Sequence, residues 1–251
     1  MSTFPKKIHQ IFFLFDKPIS EQWKNNHQKW KDLHPDYEVK LWNIDESIAL
    51  INEIDQSFLK IFENYEYNIQ RVDAIRYFIL YKFGGVYIDL DIIPNYSLNS
   101  LLEMYENDKK LDVLLGESPS ANTASNFFMI SKPNSNFWLS VISEMKKRVH
   151  KPYLGKHLTI MNETGPLLLD DVMNRYNQTN QQYVEILPKS ILNSCDVCGE
   201  CNTQFNYIID DHASSWHSLD SKIINFLNCK IYRHLKKINV LIYLSLIIIM
   251  L

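Results

Sequence analysis

Two aspartates separated by one leucine close the segment Gly84-Gly-Val-Tyr-Ile-Asp-Leu-Asp91. Read as a strand running to Ile92, this segment turns Val86, Ile88, Leu90 and Ile92 to one face. Asp89 and Asp91 take the other face, about 7 Å apart along the strand. Carboxylates so placed repel each other unless a cation lies near them. Hard oxygen donors of this kind suit Mg2+ or Mn2+, which use one or two protein carboxylates and fill the remaining positions with substrate phosphate oxygens. A bare D-x-D also reads as two solvent-facing residues of an edge strand, so the residues before it matter. Asp73 and Arg76 stand at i and i+3 and share a helix face, beside an apolar stripe of Val72, Ile75, Ile79 and Phe83. One reading is an ordinary helix salt bridge. The other follows from the double glycine, which folds the helix back toward the aspartate strand. The two charged pairs then flank one pocket, one pair for a polyhydroxylated ligand and the other for a metal-bound diphosphate.

The elements that must position these residues are legible from periodicity. Lys7–Phe13 reads as a buried strand. Trp23–Leu33 reads as a helix anchored by Trp23, Trp30 and Leu33, and Tyr37–Trp42 alternates like a strand. A strand–helix–strand opening points to an α/β sheet. Asp45–Glu66 is an amphipathic helix in two pieces, and Asn68–Phe83 is a helix ended by Gly84. Further strands are expected at 112–116, 126–130, 184–187 and 207–209, with helices at about 136–149 and 165–176. The chain holds only six glycines, so the adjacent pair Gly84-Gly85 signals unusual backbone.

Composition bounds the rest. The chain has 251 residues, 46% apolar and 22% charged, with a net charge of −3, which excludes a disordered chain and a nucleic-acid-coating role. Four cysteines are too few for a disulfide scaffold and favour a reducing compartment or a local cluster. Three of them, Cys195, Cys198 and Cys201, have a spacing that suggests structural Zn2+, with Cys229, His212 or His217 as fourth ligand; an irregular loop with free thiols is the alternative. Thr164-Gly-Pro166 opens a helix, since proline is favoured in a first turn. The N-terminus lacks the order of a signal peptide. Residues 238–251 are almost wholly apolar and follow Arg233, His234, Lys236 and Lys237. A helix of that length reaches about 21 Å, short of a bilayer's hydrocarbon core. The expected organisation is a catalytic domain over 1–232 and a basic-then-apolar tail over 233–251, a candidate membrane anchor. The protein is expected to be cytoplasmic or membrane-associated.

The block Asp73-Ala-Ile-Arg-Tyr-Phe-Ile-Leu-Tyr-Lys-Phe-Gly-Gly-Val-Tyr-Ile-Asp-Leu-Asp91 does not stand alone. Lys7-Ile-His-Gln-Ile precedes it, as does His34-Pro-Asp-Tyr-Glu with Leu41-Trp42. Thr164-Gly-Pro166 and His212-Ala-Ser-Ser-Trp216 follow. In that order they resemble the D-x-D sugar-binding glycosyltransferases of family 32, which include α-mannosyltransferases and inositol-phosphoceramide mannosyltransferases. More distantly they resemble the glucosylating domains of large clostridial toxins. The resemblance covers about residues 4–217. It implies a GT-A-type fold, a Rossmann-like mixed sheet flanked by helices. It also implies a nucleotide-sugar donor, a divalent metal (usually Mn2+) and retention at the anomeric carbon. By the same resemblance Asp73 and Arg76 hold the donor sugar, and Asp89 contacts ribose, sugar or metal-bound water. Asp91 ligates the metal, and His212 completes the metal shell. Ser214 and Trp216 hold the β-phosphate and the glycosidic oxygen. Phe12 stands where relatives often carry a tryptophan near the nucleotide base. As a loop histidine, His212 also reads as a surface residue, with Asp210, Asp211 and His217 as competitors for its role.

The expected activity is a metal-dependent retaining transfer of a hexose to a glycan, glycolipid or protein acceptor. A metal-dependent phosphohydrolase using Asp89 and Asp91, and a catalytically inactive sugar-binding protein of the same fold, are the alternatives. GDP-mannose, UDP-glucose, UDP-galactose and UDP-N-acetylglucosamine all stay open as donors.

Overall fold

The computed structural model describes residues 4–13, 18–118, 123–149, 151–192, 206–210 and 219–235. The opening is strand β1 (Lys7–Ile11), helix α1 (Glu21–Leu33) and strand β2 (Glu38–Trp42). Helix α2 (Ile44–Asn64) follows and breaks at Asp55, whose φ of −156° and ψ of 82° are not helical, so the two-piece expectation holds. Helix α3 (Asn68–Phe83) leads through the glycine pair into β3 (Gly85–Ile88) and then β4 (Ile92–Pro94). After these come α4 (Asn99–Tyr105), β5 (Leu111–Glu117), β6 (Ala124–Ser131), α5 (Asn136–Arg148), α6 (Gly155–Glu163) and α7 (Pro166–Thr179). The chain continues through β7 (Tyr183–Leu187), α8 (Lys189–Leu192), β8 (Ile208–Asp210) and α9 (Leu219–Leu235).

Six strands form one mixed sheet in the order β2-β1-β3-β6-β5-β7. β1 runs parallel to β2 and β3, and β5 parallel to β7, while β6 is antiparallel to both of its neighbours. Successive residues of each strand feed opposite faces. Tyr87, Val113, Leu115 and Met129 enter the core shared with α2, α3, α5 and α7. Val86, Ile88, Leu114 and Phe128 enter the other, with Trp30 of α1 and Leu101 of α4. Because both faces are covered, a central strand such as β3 is apolar throughout and does not alternate.

Helix α3 departs from its expected single apolar stripe. Residues 73–80 are all buried, together with Gln70. The helix is enclosed between the sheet, α2 and α5, so its polar side chains must find partners inside the protein.

The largest correction concerns the aspartate strand. β3 stops at Ile88, and Asp89–Asp91 form a turn closed by a bond from the Ile92 amide to the Asp89 carbonyl (3.2 Å). The two carboxylates therefore do not share one face of a continuous strand. The last ladder bond of the large sheet runs from the Asp89 amide to the Phe127 carbonyl (3.0 Å). Helix α1 then captures the chain. Asn26 donates from Nδ2 to the Leu90 carbonyl (3.2 Å), and Trp30 from Nε1 to the Ile92 carbonyl (2.9 Å). Both side chains are buried on α1, whereas Leu33, expected as an anchor, is 38% exposed. Beyond the turn, β4 pairs antiparallel with β8 in a separate two-stranded ribbon.

The glycine pair fixes where α3 meets β3. Gly84 has φ of 59° and Gly85 φ of 84°. A Cβ on Gly85 would lie 2.6 Å from the Lys7 carbonyl oxygen. His9 seals the junction. The Trp42 indole N–H donates to His9 Nδ1 (3.2 Å), so Nε2 carries the proton and donates to the Gly84 carbonyl (3.0 Å). Burial holds this imidazole neutral and lowers its pKa to about 4.

Two outcomes follow from this junction. Gly85→Ala combines a positive φ with a backbone clash and is expected to cost on the order of 2 kcal/mol or more, read as a lowered urea midpoint. His9 sets a pH dependence. Below an ordinary histidine pKa of about 6.5 the unfolded chain takes up a proton that the folded site refuses. The stability it contributes is complete above that pH and is lost progressively as pH falls toward 4. Urea midpoints measured from pH 7 to pH 4 should fall more steeply for the wild-type chain than for His9→Gln.

Candidate active site

Arg76 is the centre of the site. Its Nη1 lies 3.1 Å from Asp73 Oδ1, and its Nη2 lies 3.0 Å from Asp89 Oδ1. Nη1 also donates to the Asn126 carbonyl (3.0 Å), and the guanidinium carbon sits 4.8 Å from the centre of the Tyr87 ring. Sequence reasoning left the charged residues as two pairs flanking a pocket. The structure joins them into one cluster through a single guanidinium.

Each carboxylate is held from a second direction. Asn126 donates from Nδ2 to Asp73 Oδ1 (3.1 Å), and Thr164 donates from Oγ1 to Asp73 Oδ2 (3.2 Å). Tyr87 donates its hydroxyl proton to Asp89 Oδ1 (2.6 Å). Asp73 and Arg76 are buried, whereas the Asp89 side chain is 26% exposed. The cluster thus runs from the interior of α3 out to the turn, and Asp91, half-buried, stands two residues further on.

The electrostatics follow from two carboxylates sharing one cation. Burial pushes Asp73 above the ordinary carboxylate range; Arg76 pulls it back, and Asp89 pushes it up again. Burial alone would lower Arg76, but Asp89, Tyr87 and Asp73 more than offset this and hold the guanidinium firmly protonated. Its Nε is buried with no hydrogen-bond partner. A buried guanidinium shared by two carboxylates differs in kind from a surface i,i+3 pair, which stabilises by only about 0.2–0.5 kcal/mol.

The turn itself is braced through β1. Gln10, fully buried, accepts at Oε1 from His27 Nδ1 (2.6 Å), and its Nε2 faces the Asp89 carbonyl oxygen at 3.5 Å. Phe12, just past the end of β1, is half-buried, with its ring centre 6.2 Å from that of Trp23 on α1 in an edge-on contact. His212, Ser214 and Trp216 lie outside the described residues, as do Cys195, Cys198, Cys201 and the apolar run 238–251. The backbone leading to them is placed, because Asp210 of β8 is the register partner of Ile92, the residue after Asp91.

Sequence reasoning missed Asn126, Tyr87 and the His27–Gln10 pair. Only Asn126 carried a signal, a polar residue heading an otherwise apolar strand. Thr164 was singled out as the opening of a helix. Gly165 does cap α7, with Pro166 at its first turn, but the buried hydroxyl of Thr164 also serves Asp73.

The donor set fits Mg2+ or Mn2+, because a turn bearing two aspartates offers hard oxygen ligands. Among the described residues no group of three or more His, Cys, Asp and Glu converges to hold a metal. An ion completed by substrate phosphates does not need such a group. Cys229 is disulfide-bonded, which removes it as a thiolate ligand for zinc and as support for a reducing compartment.

Comparison with known proteins identifies the family of the chain. Residues 20–108 match the glycosyltransferase sugar-binding region containing the DXD motif. Inositol phosphoceramide mannosyltransferase 1 of Schizosaccharomyces pombe is 31% identical over 231 residues, 91% of this chain and 67% of that protein. Mannosyl phosphorylinositol ceramide synthase CSH1 of Saccharomyces cerevisiae is 37% identical over 223 residues, 89% of this chain, which spans only 55% of that relative's length. In three dimensions the chain superposes on the glycosyltransferase domain of the YGT toxin with a TM-score of 0.58 at 9% identity, covering 92% of this chain and 86% of that domain. The fold is therefore of the GT-A type, and by sequence the chain belongs to the D-x-D sugar-binding glycosyltransferases.

Proposed function

We propose that the chain transfers a mannosyl residue from a nucleoside-diphosphate mannose to the inositol headgroup of a phosphoceramide, with a divalent cation and with retention at the anomeric carbon. The observation that carries this reading is the buried Asp73–Arg76–Asp89 cluster opening onto the D-x-D turn. The choice of mannose and of an inositol phosphoceramide acceptor is supported by relatives named for that activity.

Asp73 is suited to bind sugar hydroxyls because each carboxylate oxygen accepts more than one hydrogen bond, and Asn126 and Thr164 already fix its plane. Arg76 offers Asp73 and Asp89 a shared counter-charge and sets their spacing. Asp91 is the candidate metal ligand, with His212 as its partner and Asp89 beside them. A Mg2+ or Mn2+ held there supplies charge neutralisation to a departing diphosphate. Ser214 and Trp216 are the candidate donors to the β-phosphate and the glycosidic oxygen, and Phe12 is the candidate contact to the base. No protein nucleophile is assigned, because Asp73 and Asp89 are both engaged by Arg76. The acceptor hydroxyl then attacks on the face from which the diphosphate leaves.

The decisive assay is transfer of labelled mannose from GDP-mannose to inositol phosphoceramide, with Mn2+ against EDTA. Product that appears only with metal and retains the α configuration supports the reading; consumption of UDP-glucose in preference to GDP-mannose rejects the mannosyl assignment. Asp91→Asn should lower transfer on the order of 10²-fold or more with an unchanged unfolding midpoint, since this half-buried side chain is outside the core.

Arg76→Ala is expected to behave differently. It leaves Asp73 buried without its counter-charge and should cost about 3–5 kcal/mol in chemical denaturation. Arg76→Lys keeps the charge but not the fork. It should fold, and in calorimetric titration it should lose more affinity for the nucleotide sugar than for the nucleoside diphosphate.

A further inference from the structure

An amphipathic helix on a globular domain normally turns its apolar side to the body and its polar side to water. Among the side chains described on helix α9, the reverse holds. Its contacts with α6 are polar: the Asp220 carboxylate accepts from the His157 amide (2.8 Å), and the fully buried Ser221 hydroxyl lies 3.0 Å from His157 Nδ1. Leu219, Ile223, Phe226 and Leu227 recur at i, i+4, i+7 and i+8 and are 74%, 51%, 57% and 49% exposed. A fifth apolar side chain starts beside them. Leu154 is 87% exposed and precedes Gly155, where a Cβ would stand 3.0 Å from Asp220 Oδ2. Scattered exposed leucines need no explanation, but an apolar arc along one helix does.

Basic side chains flank this arc. Lys222 and Lys230 are exposed, and Lys230 Nζ lies over the Phe226 ring, 4.6 Å from its centre. Asp220 is the one acidic residue of α9 and is engaged at the N-terminus of α6. In the sequence, Arg233, Lys236 and Lys237 follow. An apolar stripe flanked mainly by basic residues is complementary to an anionic lipid surface.

We propose that the α9 face formed by Leu219, Ile223, Phe226 and Leu227, with Leu154 beside it, docks in the plane of an anionic lipid bilayer. This rests on the reading above only in that the acceptor is a lipid. The placement suits that acceptor. Helix α6 begins at Gly155 against Asp220, on the inner side of α9, and ends next to Thr164, which holds Asp73. Its nine residues span about 13 Å. The sugar site and the docking face are thus joined through one short helix.

The test uses the full chain and vesicles of phosphatidylcholine with and without phosphatidylinositol, carrying brominated acyl chains. Phe226→Trp should show added fluorescence quenching over the wild-type background, stronger with phosphatidylinositol. The double variant Leu219→Glu, Phe226→Glu should lower vesicle partitioning about tenfold, with unchanged unfolding midpoint and nucleotide-sugar binding. A Phe226→Trp chain that floats with vesicles but gains no quenching overturns the proposal, because attachment then lies elsewhere. So does a chain that does not float, or a lipid-free dimer that Phe226→Glu dissociates, which would assign the face to a second copy. Quenching alone reads docking, so a failed transfer assay bears on the acceptor and not on this face.

Discussion

The structure depends on one buried guanidinium serving two carboxylates. Arg76 lies inside α3, where a charge is costly to bury alone, and is tolerated because Asp73 on the same helix and Asp89 at the end of β3 both reach it. This contact forces several other features. The helix must be enclosed on all sides, so its polar residues need partners from β6 and from the α6–α7 junction, which Asn126 and Thr164 supply. The helix must also return onto the sheet within two residues, which only the positive-φ glycines at 84 and 85 allow. Arg76 thereby makes the position of the D-x-D turn a property of the core.

The turn is also held from its other side. Asn26 and Trp30 take the carbonyls of Leu90 and Ile92 from α1, and Gln10, itself fixed by His27, faces that of Asp89. A segment that has left the large sheet would otherwise expose backbone polar groups in a buried setting. Side chains of α1 and β1 replace the ladder. The opening strand–helix–strand unit therefore anchors the turn as well as forming part of the sheet.

Much of this was legible beforehand. Period-two and period-3.6 patterns located β1, α1, β2, α3 and the main later strands, and the two-piece character of α2 was recognisable. Asp73, Arg76, Asp89 and Asp91 were recognisable by type and spacing. Two kinds of information were not. Alternation in Val86–Ile92 suggested one continuous strand, because the bonds that end β3 come from α1, far away in sequence. Partners such as Asn126 and Tyr87 carry no local pattern, since their roles exist only once β3, β6 and α3 have been packed together. Helices α4, α6, α8 and α9 also escaped, the first three being short. For α9 a signal was present, since Leu219, Ile223, Phe226 and Leu227 recur at helical spacing.

The passage from β3 to β4 has a consequence for how order is distributed. Upstream of the turn, β3 lies in the middle of six strands with both faces covered, so its opening approaches global unfolding. Downstream, β4 belongs to a ribbon of only three register pairs with β8. Its inner side is nonetheless part of the core, since Ile92 and Ile208 are buried and Trp30 of α1 takes the Ile92 carbonyl. Asp89, just past the end of β3, and Asp91, just before β4, therefore hang between two separately hydrogen-bonded sheets. The spacing of the two carboxylates holds only while both ends of the turn stay closed.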